Sequence, residues 1–465
     1  MKHLRVATLI AWASVFSASF AAVTPSPVRA ATDDDFGPAV APKAPKDLND
    51  VAIALGPNVS EKMEAIAVNP KRPNQLVVVV VVTVDEQKRQ KRLAVYRSDD
   101  AGRTWSGPLG LPDARDYDTQ SAAASYAADG RGVYVAFADY NTWGELPRIL
   151  VTRSDDNGAT WSSPVIALQE DGFYGYSSPR LATPVRESDG KWLYLTAEIE
   201  PYQGNYQGIG FANSADYGQT WTATPLLATG NLDLSAVWGH DVAGGVGGEV
   251  LVTLFRDKRP DGDHCINEAI EVLRSGDHGA TFSPPVAAET QGCGIFTSAT
   301  SVKIGHQGAA HLVYGREGGQ GDAGDIEYIW SPGPPYTTWS QPVTVNDDAL
   351  PRTQHSPSLA TQKCGASTIL HLVWQDERLS PATDPDRYAD IFYARKIAKN
   401  GAAWSKNVRV SGKSSLTSFA MFPGLAASQG RVFAAWTDHS DKTDSDYDYE
   451  TDVYGSGILS GVSCP

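Results

Sequence analysis

Four copies of one eight-residue pattern, S-x-D-x-G-x-T-[W/F], run through this sequence, beginning at Ser98, Ser154, Ser214 and Ser275. The aromatic residues that close the copies follow one another at intervals of about 56 to 61 residues. A supersecondary unit repeated at such a period cannot bury its apolar face alone, so neighbouring units must stack. The repeat therefore constrains the fold more than any other feature of the chain.

Each copy is predicted to be the turn of a β-hairpin. Runs with strand character precede the copies, namely Leu93–Arg97, Ile149–Arg153, Ile209–Asn213 and Ala269–Arg274. The central glycine suits a backbone with positive φ, and the short aspartate can accept the N–H groups of the turn. The pattern assigns structural roles to Asp100, Gly102, Trp105, Asp156, Gly158, Trp161, Asp216, Gly218, Trp221, Asp277, Gly279 and Phe282.

The pattern resembles the Asp box, or BNR repeat, of the sialidase superfamily of β-propellers. At the level of fold, the resemblance covers nearly all of the chain that follows the N-terminal leader. It implies an all-β propeller built from repeated four-stranded blades. Because the aspartate recurs in every hairpin, it is predicted to serve the hairpin rather than catalysis.

The number of blades follows from the apolar second strands of the repeat. Seven are predicted: Leu76–Val84, Val133–Ala138, Trp192–Ala197, Val250–Phe255, Ala310–Tyr314, Ile369–Trp374 and Val432–Trp436. Seven blades are therefore favoured, with six as the alternative. The last unit lacks a fourth strand, so the N-terminal run Val51–Leu55 is predicted to close the final blade and remove its exposed edge.

The chain is predicted to divide into an export signal at 1–30, a flexible leader at 31–50 and a single Asp-box propeller domain at 51–465. Lys2 and Arg5 precede the apolar stretch Val6–Ala22, and Val28-Arg29-Ala30 resembles a cleavage site. No later segment is apolar enough to span a bilayer. We therefore expect a secreted or periplasmic protein without membrane insertion.

The net charge of −15 argues against nucleic acid or an anionic membrane surface as a partner. Removal of residues 1–30, which contain three basic and no acidic residues, makes the charge −18. The expected partner is a glycan or acidic carbohydrate, with a protein as a further alternative.

Four cysteines in an exported chain predict two disulfides. In a ring of four-stranded blades, Cys265 and Cys293 fall in connections on one face, whereas Cys364 and Cys464 fall on the other. Pairs across the faces would exceed the roughly 7 Å Cα separation that a disulfide allows. The predicted pairs are Cys265–Cys293 and Cys364–Cys464.

Candidate functional residues lie in the connections opposite the repeated turns. Propellers usually bind ligands on this face, at the mouth of the central channel, although polar loop residues are also typical of a solvated surface. The sialidase resemblance implies three arginines for a substrate carboxylate, a tyrosine nucleophile assisted by a glutamate, and an acid/base aspartate. The candidates for catalysis are Asp118, Tyr174, Asp241, Tyr314, Glu317 and Asp376, and those for substrate binding are Arg256, Arg316, Arg378, His240 and His355.

The sequence departs from the sialidase pattern in its first blade. The strand before the first repeated turn reads Glu64-Ala65-Ile66-Ala67-Val68 and has no arginine where sialidases carry one. Two functions therefore remain open. One is a sialidase-like, retaining exo-glycosidase acting on terminal acidic sugars, and the other is a non-catalytic propeller that binds a glycan or a protein; a polysaccharide lyase is a lesser alternative.

No cofactor is expected, apart from a structural calcium ion near Asp444, Asp446 and Asp448, whose alternating carboxylates suit such an ion. Tyr449 and Gly455 depart from the calcium-loop pattern of an EF-hand. The alternative is a solvated acidic loop. No catalytic metal site is predicted.

Overall fold

The computed structural model describes residues 50–56, 60–85, 90–112, 121–140, 147–170, 174–201, 208–228, 236–258, 267–291, 300–316, 324–348, 352–380, 389–399, 401–412, 420–439 and 451–458. These residues form 28 β-strands and one short 3-10 helix at Glu187–Asp189. None of the described helical structure is long or apolar enough to cross a membrane.

The first three blades each contain four consecutive strands, numbered outward from the ring axis. Blade 1 consists of β2 (Ser60–Val68), β3 (Leu76–Asp85), β4 (Gln90–Ser98) and β5 (Ser106–Gly110). Blade 2 consists of β6 (Ala122–Tyr126), β7 (Val133–Asp139), β8 (Arg148–Ser154) and β9 (Val165–Leu168). Blade 3 consists of β10 (Tyr174–Ala182), β11 (Leu193–Pro201), β12 (Gly208–Ser214) and β13 (Thr222–Ala228).

The next three blades repeat this order. Blade 4 consists of β14 (Ala236–Gly244), β15 (Val250–Lys258), β16 (Asn267–Ser275) and β17 (Val286–Gln291). Blade 5 consists of β18 (Ser301–Ile304), β19 (Ala310–Arg316), β20 (Asp325–Ser331) and β21 (Val343–Thr344). Blade 6 consists of β22 (Gln354–Cys364), β23 (Ser367–Asp376), β24 (Asp390–Ile397) and β25 (Val408–Arg409).

Blade 7 closes the ring with strands from both ends of the chain. It consists of β26 (Ala420–Ser428), β27 (Arg431–Asp438), β28 (Asp452–Ile458) and the N-terminal β1 (Val51–Ala54). Strand β1 runs antiparallel to β28, with Val51 opposite Gly455. The predicted all-β, seven-bladed propeller with an N-terminal closing strand is therefore confirmed, and the six-bladed alternative is wrong.

The apolar core lies between the blades. The described residues contain seven clusters of buried apolar side chains, and each cluster joins two neighbouring sheets. The second strand of a blade is covered on both faces, so it reads as a continuous apolar run rather than an alternating one. All residues of Val133–Ala138 are fully buried for this reason. The buried second strands form the core of the ring, and the innermost strands pair with them.

The four S-x-D-x-G-x-T turns share one hydrogen-bond pattern. In the first turn, the Ser98 hydroxyl accepts the Gly102 N–H at 2.9 Å and donates to Asp100 Oδ1 at 2.8 Å. Asp100 also accepts the Thr104 N–H at 2.9 Å and the Thr104 hydroxyl at 2.7 Å. Equivalent bonds to Asp277 from the hydroxyls of Thr281 and Ser275 lower the pKa of this carboxyl to about 2. The carboxylates of these aspartates therefore accept their hydrogen bonds from groups within the turns.

These turns also bind each blade to the preceding one. Gly102 has φ of 83°, and a Cβ at this position would lie 2.1 Å from the Phe433 ring of blade 7. Gly279 has φ of 89° and lies equally close to Phe211 of blade 3, where a Cβ would be 2.3 Å away. The glycine is thus required both by the backbone conformation and by the close packing between blades.

Several predictions from the sequence fall outside the described residues. These are the export signal, the leader up to residue 49, the acidic loop with Asp444, Asp446 and Asp448, and the cysteines Cys265, Cys293 and Cys464. Cys364 lies at the end of β22. The domain boundaries, the disulfide pairing and the calcium site stay predictions.

Candidate functional site

A cavity of about 610 Å³ lies on the axis of the ring and is lined by the innermost strands of all seven blades. Most of its wall consists of small side chains, as in the run Ala122–Ala124 of blade 2. Small residues are expected here because seven strands converge on one axis. The volume lies within the range of about 300 to 1,000 Å³ that is typical of ligand pockets.

Bulges in the innermost strands shape this wall. The pairing of the first and second strands shifts register in five blades, at Met63/Ala65, Ser177/Arg180, Trp238/Asp241, His355/Ser358 and Met421/Gly424. Four residues inside these bulges adopt positive φ, namely Ser178, Gly239, Ser356 and Phe422. A bulge redirects the side chains that follow it, so residues near these positions are re-aimed relative to a regular strand.

The bulges also carry hydrogen bonds that join the innermost strands to one another. Side-chain oxygens of one blade accept backbone N–H groups of the next, as from Val302 to Asp241 at 2.9 Å and from Ser178 to Ser121 at 3.0 Å. The Thr437 hydroxyl accepts the Met63 N–H at 3.0 Å across the closing interface. These bonds connect neighbouring blades around the cavity.

Charged side chains interrupt the small-residue wall in four blades. They are Lys62 and Glu64 in blade 1, Arg180 in blade 3, Asp241 in blade 4 and Lys303 in blade 5. Lys62 pairs with Glu64 at 2.9 Å, and Lys303 pairs with Asp241 at 3.2 Å. The cavity therefore contains two ion pairs and one further cation, Arg180.

Glu64 is one of the two carboxyls of this group, with 9% of its side chain exposed. Burial raises its pKa, and this effect outweighs the opposing ones of Lys62, the Ala122 N–H and the Arg180 charge. Its Oε2 accepts the Ala122 N–H at 3.4 Å, which joins blade 1 to blade 2. Raised pKa values are typical of groups that exchange protons at active sites.

Arg180 is half-buried in the cavity wall and forms no ion pair with a carboxylate of any described residue. Its guanidinium donates to the Pro179 carbonyl at 3.2 Å. Its charge still acts on two carboxyls: it opposes the rise in the pKa of Glu64, and it contributes to the lowered pKa of Glu198. A guanidinium with unused donors in a cavity is suited to binding a carboxylate or another planar anion.

Behind Arg180, a buried carboxylate and a buried imidazole lie between blades 3 and 4. His240 is 1% exposed, and its Nδ1 lies 3.5 Å from Glu198 Oε1. Glu198 also accepts the Gly239 N–H at 3.2 Å. Although burial opposes it, the contact with His240 and the Arg180 charge hold the pKa of Glu198 below its usual value. The Glu198–His240 pair therefore lies close enough to Arg180 to be affected by its charge.

The structure brings one predicted catalytic residue, Asp241, to the cavity. The oxygens of this carboxylate accept the N–H groups of Val242 and Val302 at 2.8 and 2.9 Å, in addition to the Lys303 ammonium. Asp241 is 8% exposed. The predicted binding residue His240 lies next to it, buried behind the cavity wall.

The three predicted substrate arginines do not meet at this cavity, since none of them lines it. Arg256 pairs with Glu271 of its own blade at 2.9 Å. Arg378 is held by Asp376 at 2.7 Å and Asp347 at 2.8 Å, and its guanidinium carbon lies 4.2 Å from the centroid of the Phe392 ring. Arg316 ends β19 and is partly buried.

The remaining candidates are spread around the ring. Asp376 is fully buried and accepts the Trp374 indole N–H at 2.8 Å. Tyr314 is fully buried, and burial raises the pKa of its hydroxyl. Tyr174 packs edge-on against Tyr176, and His355 lies with its Nε2 3.7 Å from Glu377. Asp118 and Glu317 lie outside the described residues.

The candidates predicted from the sequence do not include Arg180 or Lys303. A signal for these residues was present in the sequence. The innermost strand of blade 2 reads Ala122-Ala123-Ala124, whereas those of blades 1, 3, 4 and 5 carry Glu64, Arg180, Asp241 and Lys303 in otherwise small or apolar runs. A charge in a strand that needs small residues marks a special position.

Fold and cavity together define the protein as a seven-bladed β-propeller with a charged axial cavity. A protein of unknown function from Dyadobacter fermentans shares this fold, at 13% identity and a TM-score of 0.50, over 89% of this chain and 98% of that one. The NanB sialidase from Streptococcus pneumoniae is 10% identical over 82% of this chain and 83% of that one, with a TM-score of 0.47. The α-L-arabinanase from Penicillium chrysogenum complexed with arabinobiose is 13% identical over 89% and 98%, with a TM-score of 0.49.

At 13% identity the likeness to the Dyadobacter fermentans protein shows the fold alone. No protein-family model matches the sequence, and no curated protein matches it.

Proposed function

We propose that this chain is an exported glycan-processing propeller that takes the terminal acidic sugar of a glycan into its central cavity. In this proposal the four S-x-D-x-G-x-T turns are the Asp boxes of a sialidase-like propeller, and the cavity rather than the turns carries the chemistry. Arg180 binds the acid group of the sugar, and Glu64 is the proton donor. An exo-glycosidase is the activity that we assign.

One observation carries the proposal: Arg180 presents a guanidinium without a carboxylate partner among the described residues, inside a cavity of about 610 Å³. A half-buried cation costs desolvation energy that is repaid when an anion binds. The raised pKa of Glu64 supports the assignment of a proton donor in the same cavity.

A non-catalytic glycan-binding propeller is the second candidate. It is favoured because most of the residues that the sialidase resemblance implies do not line the cavity. Arg378 is locked by carboxylates, and Tyr314 and Asp376 are fully buried. Such a protein would use Arg180 in the same way but would not cleave the glycan.

The test uses a fluorogenic sialoside for turnover and a glycan array for binding. Wild-type protein is compared with Arg180→Ala, Glu64→Gln and the control Arg103→Ala, which removes an exposed arginine from a turn that does not line the cavity. We expect Arg180→Ala to abolish binding, Glu64→Gln to abolish turnover while retaining binding, and the control to behave as wild type. Binding without turnover in the wild-type protein favours the second candidate, and full binding by Arg180→Ala refutes the site.

A further inference from the structure

An exposed phenylalanine in a strained backbone conformation lies on the wall of the central cavity. Phe422 has φ of 51° and is 45% exposed, and it lines the cavity from blade 7. Positive φ is a genuine outlier for a bulky side chain. The following residue is Pro423, which further restricts the backbone of the residue before it.

The fold requires the bulge at this position but not the phenylalanine. Equivalent bulges precede a proline in blades 3 and 6, where the residue with positive φ is Ser178 or Ser356, with φ of 49° and 54°. In blade 4 the bulge contains Gly239, with φ of 63°. Small residues therefore satisfy the same backbone elsewhere in the ring. Because nearly half of its side chain is exposed, Phe422 also contributes little to the core.

The surroundings of Phe422 suit a sugar rather than an apolar partner. The Lys62 ammonium lies 5.2 Å from the centroid of the ring, and it also pairs with Glu64 at 2.9 Å. An aromatic face next to a cation and a carboxyl offers an apolar surface and hydrogen-bonding groups side by side. The C–H bonds on one face of a pyranose pack against the electron-rich face of an aromatic ring, while its hydroxyls need polar partners.

We propose that Phe422 is the stacking platform for a second, uncharged pyranose residue of the glycan whose acidic sugar is bound by Arg180. The inference rests on the proposed function and adds a subsite to it. Phe422 and Arg180 line the same cavity, from blades 7 and 3. The preferred ligand is therefore at least a disaccharide, with an acidic and a neutral sugar.

The test compares two probes, 3′-sialyllactose and free N-acetylneuraminic acid, by titration calorimetry of proteins that all carry Glu64→Gln, so that the trisaccharide is not cleaved during the measurement. Relative to Glu64→Gln alone, adding Phe422→Ala or Phe422→Gly should weaken binding of 3′-sialyllactose about tenfold and leave binding of the free sugar unchanged. Adding Arg180→Ala should abolish binding of both probes. Equal binding of 3′-sialyllactose with and without the Phe422 substitutions overturns the platform and leaves the proposed function standing, whereas a Glu64→Gln protein and a wild-type protein that both bind neither probe overturn the platform and the proposed function.

Thermal unfolding separates a binding role from a structural one. Phe422→Gly relieves the left-handed backbone, so its melting temperature should equal or exceed that of wild type, whereas Phe422→Ala keeps the strain and gains nothing. Ala101→Gly is the matched control, because Ala101 has φ of 64° in a turn that does not line the cavity. It should gain stability without any change in binding. A fall of several degrees in both Phe422 variants with normal binding of 3′-sialyllactose shows that the ring is structural.

Discussion

Two buried histidines should make the propeller sensitive to mild acid. His311 in blade 5 and His371 in blade 6 are 3% and 0% exposed, and they occupy equivalent positions on the second strands. Their Nδ1 atoms lie 2.9 and 2.8 Å from the hydroxyls of Tyr328 and Tyr393. Burial lowers the pKa of each to about 4, with a smaller contribution from Lys396 near His311 and from Arg395 near His371.

The pH dependence follows from the difference between the folded and unfolded chains. In the unfolded chain each imidazole takes up a proton near pH 6.5, whereas in the folded protein it does so only near pH 4. The stability contributed by the neutral rings is therefore complete above pH 6.5 and is lost as the pH falls towards 4. At pH 5 the loss is about 2 kcal/mol for each histidine.

Urea unfolding at pH 7.5 and pH 5 measures this effect. The variant His311→Gln/His371→Gln should be less stable than wild type at pH 7.5, because the packing of both rings is lost. At pH 5 the difference from wild type should shrink by about 4 kcal/mol, since glutamine does not titrate. Each single variant should account for about half of this change. A difference that is the same at both pH values would refute the assignment of these two rings as the acid-sensitive groups.

Two further predictions concern the contacts that hold the blades together. Gly102→Ala should destabilise the protein by about 3 kcal/mol in urea unfolding, since it adds left-handed strain and drives a methyl group into the Phe433 ring. Arg378→Ala should cost about 3 to 5 kcal/mol, because it leaves the fully buried Asp376 carboxylate without its cation.

Matched controls distinguish these effects from general ones. Gly308→Ala has the same left-handed backbone, with φ of 87°, but open space around the added methyl group, so it should cost only about 1 kcal/mol. Arg97→Ala removes an arginine whose partner Asp99 is exposed, and it should cost less than about 1 kcal/mol. Equal losses for variant and control in either pair would contradict the reasoning.

The sequence predicts the ring well because its strongest signals are local. The side chains of Ser98 and Asp100 find their hydrogen-bond partners within the same turn, so these eight residues specify the hairpin. The second strands are equally clear, since burial on both faces turns Val133–Ala138 into an unbroken apolar run. Ring closure by β1 follows from counting strands, because an incomplete last blade leaves one edge to be filled.

The candidate site is predicted less well because it depends on contacts between blades. A bulge shifts the strand register by one residue, and such a shift moves side chains to the opposite face. Asp241 therefore lines the cavity while His240 is buried behind it. Likewise, nothing near Arg378 in the sequence indicates that Asp347, from the preceding blade, holds its guanidinium. The register shift within blade 4 decides the positions of Asp241 and His240, and a contact between blades decides the position of Arg378.

The cavity wall distinguishes what the fold needs from what it only tolerates. A propeller axis requires small side chains, and Ala122–Ala124 of blade 2 meet that requirement. The carboxylate of Asp241 also serves the ring, because it accepts N–H groups of the adjoining strands. Arg180 and Phe422 serve no such purpose, since one costs desolvation energy and the other costs backbone strain. Both residues line the same cavity. A ligand that contacts Arg180 and Phe422 would therefore offset the desolvation energy of the first and the backbone strain of the second.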